Sequence, residues 1–371
     1  MFLTVVDDDA AGMIERPHAR YLIRPLGDGL HAIHRIENAR VPGCGLAASA
    51  SGVEAFAAMR DRRRTTVDAS KEDIPNVDVL VFYNESAETS SGNIIAEIQA
   101  AFDDANQIYE NSGIDLQVTL RHVEKIDYQE AFSVETDWLR LRATDDGFID
   151  QVHDIRNDVG ADLVALIVGN SVEYCGYADL PVTVSPANDP YAFSATTAYC
   201  LLESHIFTHE LGHKLTAAHD WYVNPFLNAV YPYNHGFVNV FGRWHTVMAY
   251  PTECINAGVE CASIPYFSNP NLSYDGTPLG VAEDQEFPAD NTKMLNTSAP
   301  TIANYRASVP TTTTMPTTTT TIPTTTTSTT DDGDAADDDG GGDPFEPDDD
   351  DDDGNRGLTG TPGENSGGCG C

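Results

Sequence analysis

The stretch "THELGHKLTAAHD", residues 208–220, places two histidines four apart with a glutamate directly after the first. A helix advances about 100° per residue, so His209 and His213 leave one face together and can bind one metal ion. Imidazoles at this spacing suit zinc, and Glu210 can reach a metal-activated water without ligating the metal itself. His219 stands six residues beyond His213, an offset of about 240° if the helix simply continued. A third ligand from His219 therefore requires the helix to end just after Leu215 and the chain to reverse. Glycine adopts the positive φ of such a reversal freely, whereas this sequence has the β-branched Thr216. Either Thr216 takes a strained turn and His219 still ligates, or the site has two histidines and a substitute. Backbone strain costs about 1–3 kcal/mol and metal binding at structural zinc sites is worth roughly 10 kcal/mol or more, so His219 is expected to ligate. His205, four before His209, is a spare donor on the same face, and a satisfied core histidine is the simpler reading.

Those side chains need a scaffold, and the sequence before them supplies one. "VDVLVFY" from Val77 is an apolar run of buried-strand length. "NIIAEIQAAFDDANQIYENSG" follows with Ile94, Ile98, Phe102, Ala105 and Tyr109 at helical spacing, closed by Gly113. "IDLQVTLRHV" alternates as a strand, "DGFIDQVHDIRNDVG" reads as a second helix, and "ADLVALIV" as another buried strand. This order predicts an α+β fold, a mixed sheet with helices packed on it. "LLESHIF" is apolar enough to start a core helix that runs into the histidines. His122 and His153 are expected to be structural or solvated, and His235 and His245, which have no metal spacing, to be outer-wall or structural residues. After the histidines, "IPYFSNPNLSYDGTPLG" is dense in turn residues, and "DNTKMLNTSAPTIANYRAS" predicts a closing helix despite Pro300. Near the start, "ARYLIRPLGDGLHAIHRI" alternates about a Gly-Asp-Gly turn and predicts a β-hairpin.

Composition sets the setting. The formal charge is -38, and fourteen of the acids lie between Asp331 and Asp353, leaving -24 over the rest. Such an excess repels phosphate and argues against nucleic acid or an anionic membrane as partner. No run of about 18 apolar residues spans a membrane. "MFLTVVDDDAAG" lacks the basic and apolar regions of a secretory signal, which predicts a start truncated upstream. The cysteines at 44, 175, 200, 254, 261, 369 and 371 form no CxxC pair. Cys175 with Cys200 and Cys254 with Cys261 are plausible local disulfides of an oxidising compartment, which would leave Cys44 unpaired. Arg60, Arg62, Arg63 and Arg64 form either a solvated connector or a site for a trypsin-like processing protease. The Thr/Pro tract at 309–330 cannot build a core, and the Asp/Gly run at 331–371 is compositionally disordered. Its "DDGDAADDDGGGD" lacks the spacing of a calcium loop, so Ca2+ is possible only in principle.

"HELGHKLTAAHD" resembles the zinc signature of the metzincin metallopeptidases, and Asp220 after the third histidine is similar to the reprolysin-like branch. "WHTVMAYP" resembles the Met-turn, with Met248 as its methionine. "VDVLVFY", "CG" at Cys175, "PYNHG", "PYFSNP" and "IANYR" look most like bacterial reprolysin-like peptidases, among them the peptidyl-Asp metalloendopeptidases, over residues 76–308. The resemblance implies a mixed twisted sheet, two long helices including the active-site helix, and a smaller C-terminal subdomain with the Met-turn. It implies one catalytic Zn2+ on His209, His213 and His219, Glu210 as general base, and peptide or protein substrates. Tyr250 stands where some metzincins carry a zinc-associated tyrosine. "VPGCGLA" resembles a cysteine switch, with Pro42, Cys44 and Gly45 matching and Lys and Met missing, so residues 1–70 are expected to be a prodomain remnant. The whole then reads as a secreted or cell-surface bacterial zymogen whose oligomeric state the sequence does not tell. "GGCGC" at the end resembles the start of a surface-sorting signal. The competing readings are a non-catalytic binding protein keeping this shell, against which Glu210 argues, and a two-histidine zincin of another clan, against which the Met-turn argues.

Overall fold

The computed structural model describes residues 2–16, 19–36, 43–48, 74–226, 228–307 and 309. Pro42, the arginines at 60–64, the Thr/Pro tract, the acidic run and the final "GGCGC" lie outside them.

A six-stranded mixed sheet forms the centre of an α+β architecture. Its strands are β5 (Cys44–Ala48), β6 (Asn76–Tyr83), β7 (Gln117–Lys125), β8 (Leu163–Val168), β9 (Gly176–Leu180) and β10 (Phe193–Thr197), in the order β5-β9-β10-β8-β6-β7. β7, β6, β8 and β10 run parallel; β9 pairs antiparallel with β10, and β5 lies parallel to β9. The inner strands β6 and β8 are buried on both faces, which is why they read as unbroken apolar runs, while the edge strand β7 alternates. On β6, Val77, Val79 and Val81 enter one core and Leu80 and Phe82 the other.

Helices cover both faces. α1 (Glu85–Thr89) is a short turn after β6, and α2 (Ile94–Ser112) is the long helix, capped by the Asn93 side chain and closed by Gly113 at φ 73°. α3 (Val134–Arg142) and α4 (Gln151–Val159) cover the other face through Trp138, Leu141 and Val152. The sequence reading has no counterpart for α3, whose charged residues mask its apolar stripe.

Residues 2–16 and 19–35 fold into a second sheet, an antiparallel meander of β1 (Phe2–Val6), β2 (Asp9–Arg16), β3 (Ala19–Gly27) and β4 (Leu30–Arg35). It lies on α2, and Val6, Met13 and Leu22 join the same core as Ile98, Phe102 and Ile108. Fully burying side chains of this size contributes roughly 1.5–3 kcal/mol each.

The active-site helix, α5 (Ile206–Lys214), has nine residues and is not the long helix the sequence suggests. Ser204 and His205 before it take φ of 51° and 60°, so "LLESHIF" does not lead in as one helix. Beyond α5 come two-residue strands, α6 (Thr252–Asn256) and α7 (Asn291–Ile302), the last with Pro300 in its final turn. Cys175–Cys200 and Cys254–Cys261 are disulfide-bonded, with Cα atoms 5.6 and 6.0 Å apart. No helix among the described residues is long and apolar enough to cross a membrane.

Candidate metal centre and active site

α5 carries His209, Glu210 and His213 into the interior, and all three are buried. The helix then ends in a Schellman motif: the Ala217 N–H donates to Gly212 O at 3.0 Å and the Thr216 N–H to His213 O at 2.9 Å. The residue that this motif requires in the left-handed region is Thr216, at φ 70°. The threonine thus does the work of a glycine, and the chain reverses where the third histidine needs it to.

Distant groups over-determine that strained turn. The Asn234 amide donates to Thr216 O at 2.8 Å, and Ser298 Oγ donates to Leu215 O at 2.8 Å. The Ala218 N–H donates to Asn234 O at 2.7 Å, the Gly236 N–H to Ala218 O at 3.1 Å. His235 Nδ1 donates to His219 O at 2.8 Å while Trp221 stacks on its ring at 3.8 Å. Ser268 and Asn291 brace His235 and Asn234 in turn. "PYNHG" and "PYFSNP" are therefore the struts of the His219 loop.

The three histidines converge. His219 Nε2 lies 3.1 Å from His209 Nε2 and 3.0 Å from His213 Nε2. His209 Nδ1 donates to Val247 O at 2.7 Å and His213 Nδ1 to Ala217 O at 2.8 Å. Carbonyls only accept, so both protons sit on Nδ1 and both Nε2 lone pairs point inward. Two inward lone pairs repel unless an electrophile lies between them. Burial pulls His209 down to about 4 and His213 and His219 well below the usual imidazole range, keeping all three in the neutral, ligating form.

Cys44 completes the group. Its Sγ lies 3.1, 3.3 and 3.2 Å from Nε2 of His209, His213 and His219. Four donors around one tetrahedral zinc, at about 2.0–2.3 Å from it, stand about 3.3–3.6 Å apart. The cluster is slightly contracted from that, and its donor types fit zinc. β5 delivers the thiol by pairing Cys44 with Gly176 of β9. The Tyr250 hydroxyl accepts from the Cys44 N–H at 2.5 Å and donates to Cys44 O at 2.9 Å, and its ring lies 4.7 Å from that of His219.

Neither Glu210 carboxylate oxygen has a hydrogen bond of ordinary geometry, although the Cys44 thiol bears on it, and this is an expensive state for a buried acid. Burial pushes it up to about 8, against the positive charge of Lys214. The carboxylate packs on Gly176, where a Cβ would stand 2.2 Å from Oε1. Lys214 is itself buried and pulled down to about 7, between Glu210 and Asp179, which Arg142 holds at 2.8 Å. Met248 is buried under α5: a Cβ on Gly212 would lie 2.6 Å from its Sδ. Asp220 ties the two halves together, accepting from the N–H groups of Tyr222 and Val223 through one oxygen and of Tyr250 through the other. The roles of Gly176 and Lys214 escape sequence reasoning, since neither has a motif; only the "CG" resemblance touches Gly176. His205 is not with the other three: it faces Asp104.

Convergent neutral imidazoles beside a buried carboxylate, on an α+β scaffold, form a group that could hold a metal ion and activate water, the arrangement of a metal-dependent hydrolase. Residues 95–220 match the family model of the M12B reprolysin-like metallopeptidases, and the chain belongs to that family. A peptidyl-Asp metalloendopeptidase of Xanthomonas campestris pv. campestris is 33% identical over 301 residues, covering 81% of this chain and 68% of that one. One of Stenotrophomonas maltophilia is 33% identical over 300 residues, 80% of this chain and 68% of its own. Among solved structures, a chain in a chaperone–substrate complex is similar over 63% of this chain and 40% of its own, at 20% identity and a TM-score of 0.49. This protein is accordingly a metalloendopeptidase.

Proposed function

We propose that this is a secreted zinc endopeptidase made as a zymogen, with His209, His213 and His219 holding the metal and Glu210 as general base. The observation that carries it is the Cys44 thiol standing 3.1–3.3 Å from all three Nε2 atoms, with the buried Glu210 carboxylate alongside. Zinc, when bound, supplies Lewis acidity toward the water and the scissile carbonyl. Glu210 takes the proton of the attacking water and returns it to the leaving amine. Tyr250, freed from the Cys44 backbone, donates to the oxygen that gains charge. Met248 serves as the packed floor of a Met-turn rather than as a ligand.

The zymogen reading follows from what β5 covers. It occupies the edge of β9 and puts Cys44 where a substrate carbonyl would have to come. Once β5 leaves, that edge can accept an extended peptide through backbone hydrogen bonds. Residues 1–70 then act as the inhibitory segment, 76–308 as the catalytic domain, 309–330 as a spacer and 331–371 as a solvated tail. The two disulfides suit an extracellular site. The names of the relatives support cleavage next to aspartate. The test is zinc content and casein hydrolysis by the protein cut at its arginine cluster, beside its Glu210→Ala variant. Full activity and bound zinc in the first and bound zinc alone in the second are expected; equal activity in both overturns the reading.

A further inference from the structure

β5 and the sheet of β1–β4 hold the catalytic part by different means. β5 rests on the edge of β9, on the Cys44 thiol and on the Tyr250 hydroxyl, which bonds the Cys44 backbone, and none of its described side chains joins the core of α2. The sheet is built in. Val6, Ala11, Met13, Leu22 and Ile36 belong to the core of α2. Gly92, before α2, meets the backbone of Pro25 and Leu26 so closely that a Cβ would stand 2.2 Å from Pro25 O. Thr4 Oγ1 donates to Asp103 at 2.5 Å, and the Asn93 amide to Asp9 at 3.0 Å.

The polar contacts concentrate where the chain leads into the metal-binding helix. Arg24 donates to the carbonyls of Ala198 and Tyr199, in the turn that follows β10. His205, directly before α5, has Nδ1 against Asp104 of α2 at 2.8 Å. Its Nε2 faces two groups of the sheet, Arg20 at 3.4 Å and Glu15 at 3.6 Å. Ser204 and His205 are both left-handed, and such residues persist only where their surroundings over-determine them. Of the three polar groups that face His205, Arg20 and Glu15 belong to the sheet.

We propose that residues 2–36 are a lasting second subunit of the processed enzyme: once the chain is cut on both sides of β5, β5 leaves and the sheet stays docked on α2 and on Ala198–His205. Arg20 and Glu15 are positioning residues that steady the His205 turn. This rests on the zymogen reading only for the departure of β5.

The experiment puts one specific protease site within residues 37–42 and a second within 49–73 of the full chain, in a Cys44→Ser background so that the thiol anchors nothing. After both cuts, size exclusion at nanomolar concentration should show residues 2–36 eluting with the catalytic part and the β5 peptide lost. A sheet that elutes alone overturns the proposal. In the Arg20→Met/Arg24→Met chain, checked for an unchanged melting curve before cutting, retention should weaken at least tenfold. Unchanged retention overturns the assignment to the arginines, and Arg20→Lys/Arg24→Lys should restore part of the loss. The zymogen reading fails separately, if the uncut Cys44→Ser chain is no more active than the uncut native one.

Discussion

Replacing Thr216 by glycine and by alanine should reverse the usual order of the two residues. Thr216 is buried and sits at φ 70°. The left-handed region costs an L-residue roughly 1–2 kcal/mol, which glycine escapes and alanine does not. Both variants lose the threonine methyl, about 0.8 kcal/mol. Glycine further loses about 0.5–1 kcal/mol of unfolded-state entropy. Thr216→Gly therefore comes out within about 1 kcal/mol of the native protein, whereas Thr216→Ala falls below the glycine variant by up to about 1.5 kcal/mol. In an ordinary helix alanine beats glycine by about 1 kcal/mol. Urea unfolding of the zinc-depleted proteins reads the difference directly, and a shift of 1 kcal/mol moves a melting midpoint by about 2–4 °C in a domain this size. Thr216→Pro serves as the opposite extreme: it cannot take positive φ and lacks the N–H that donates to His213 O at 2.9 Å. It should lose zinc affinity, because His219 is no longer delivered. An alanine variant as stable as or more stable than the glycine variant would refute the idea that this turn is left-handed.

Gly176→Ala places a methyl 2.2 Å from Glu210 Oε1; kcat should fall roughly 10²-fold or more with KM and zinc content little changed, and a KM effect alone would contradict the position given to Glu210. Cys44→Ser in the uncut chain should raise casein hydrolysis toward the level of the processed enzyme, as a hydroxyl is a far weaker zinc ligand than a thiolate; unchanged activity removes the thiol from the inhibitory role. Acid should unfold the zinc-depleted protein. His209, His235 and His245 are each pulled down to about 4 by burial. Between pH 6.5 and about 4 the unfolded chain binds protons that the native state refuses, so stability falls as pH falls, by roughly 3 kcal/mol per histidine. Three such losses are comparable to the whole stability of a domain. A urea midpoint that stays flat from pH 7 to 4.5 would show that these rings are not held neutral.

Much of the site is legible in the residues because helical spacing and zinc chemistry are local. His209, Glu210 and His213 need only one helix, and, α3 apart, the order of strands and helices from Val77 to Val168 follows from apolar period and turn residues. What is not legible depends on groups far away in sequence. "LLESHIF" has the apolarity of a helix, yet His205 is turned by Asp104, 101 residues earlier, and by Arg20. The Lys214, Asp179 and Arg142 group comes from three separate elements, and the buried Glu210 carboxylate is defined by the nearness of Gly176. Thr216 lies between the two cases. Its type signals strain, but the bonds from Asn234 and Ser298 that tolerate the strain are visible only in the fold.

α5 has nine residues, too few for a helix to be stable alone. Left-handed residues bound it at both ends, Ser204 and His205 before it and Thr216 after it. Each end is fastened by groups of other elements: Asp104, Glu15 and Arg20 at the start, Asn234 and Ser298 at the finish. The position of the histidines is therefore a property of the packing around the helix and not of its own propensity. A metal held by His209, His213 and His219 would link the helix to the loop beyond it, adding a third fastening to the other two. Loosening either end should then be felt first as weaker zinc binding, before any loss of the central sheet, whose inner strands β6, β8 and β10 are buried on both faces and make none of these contacts.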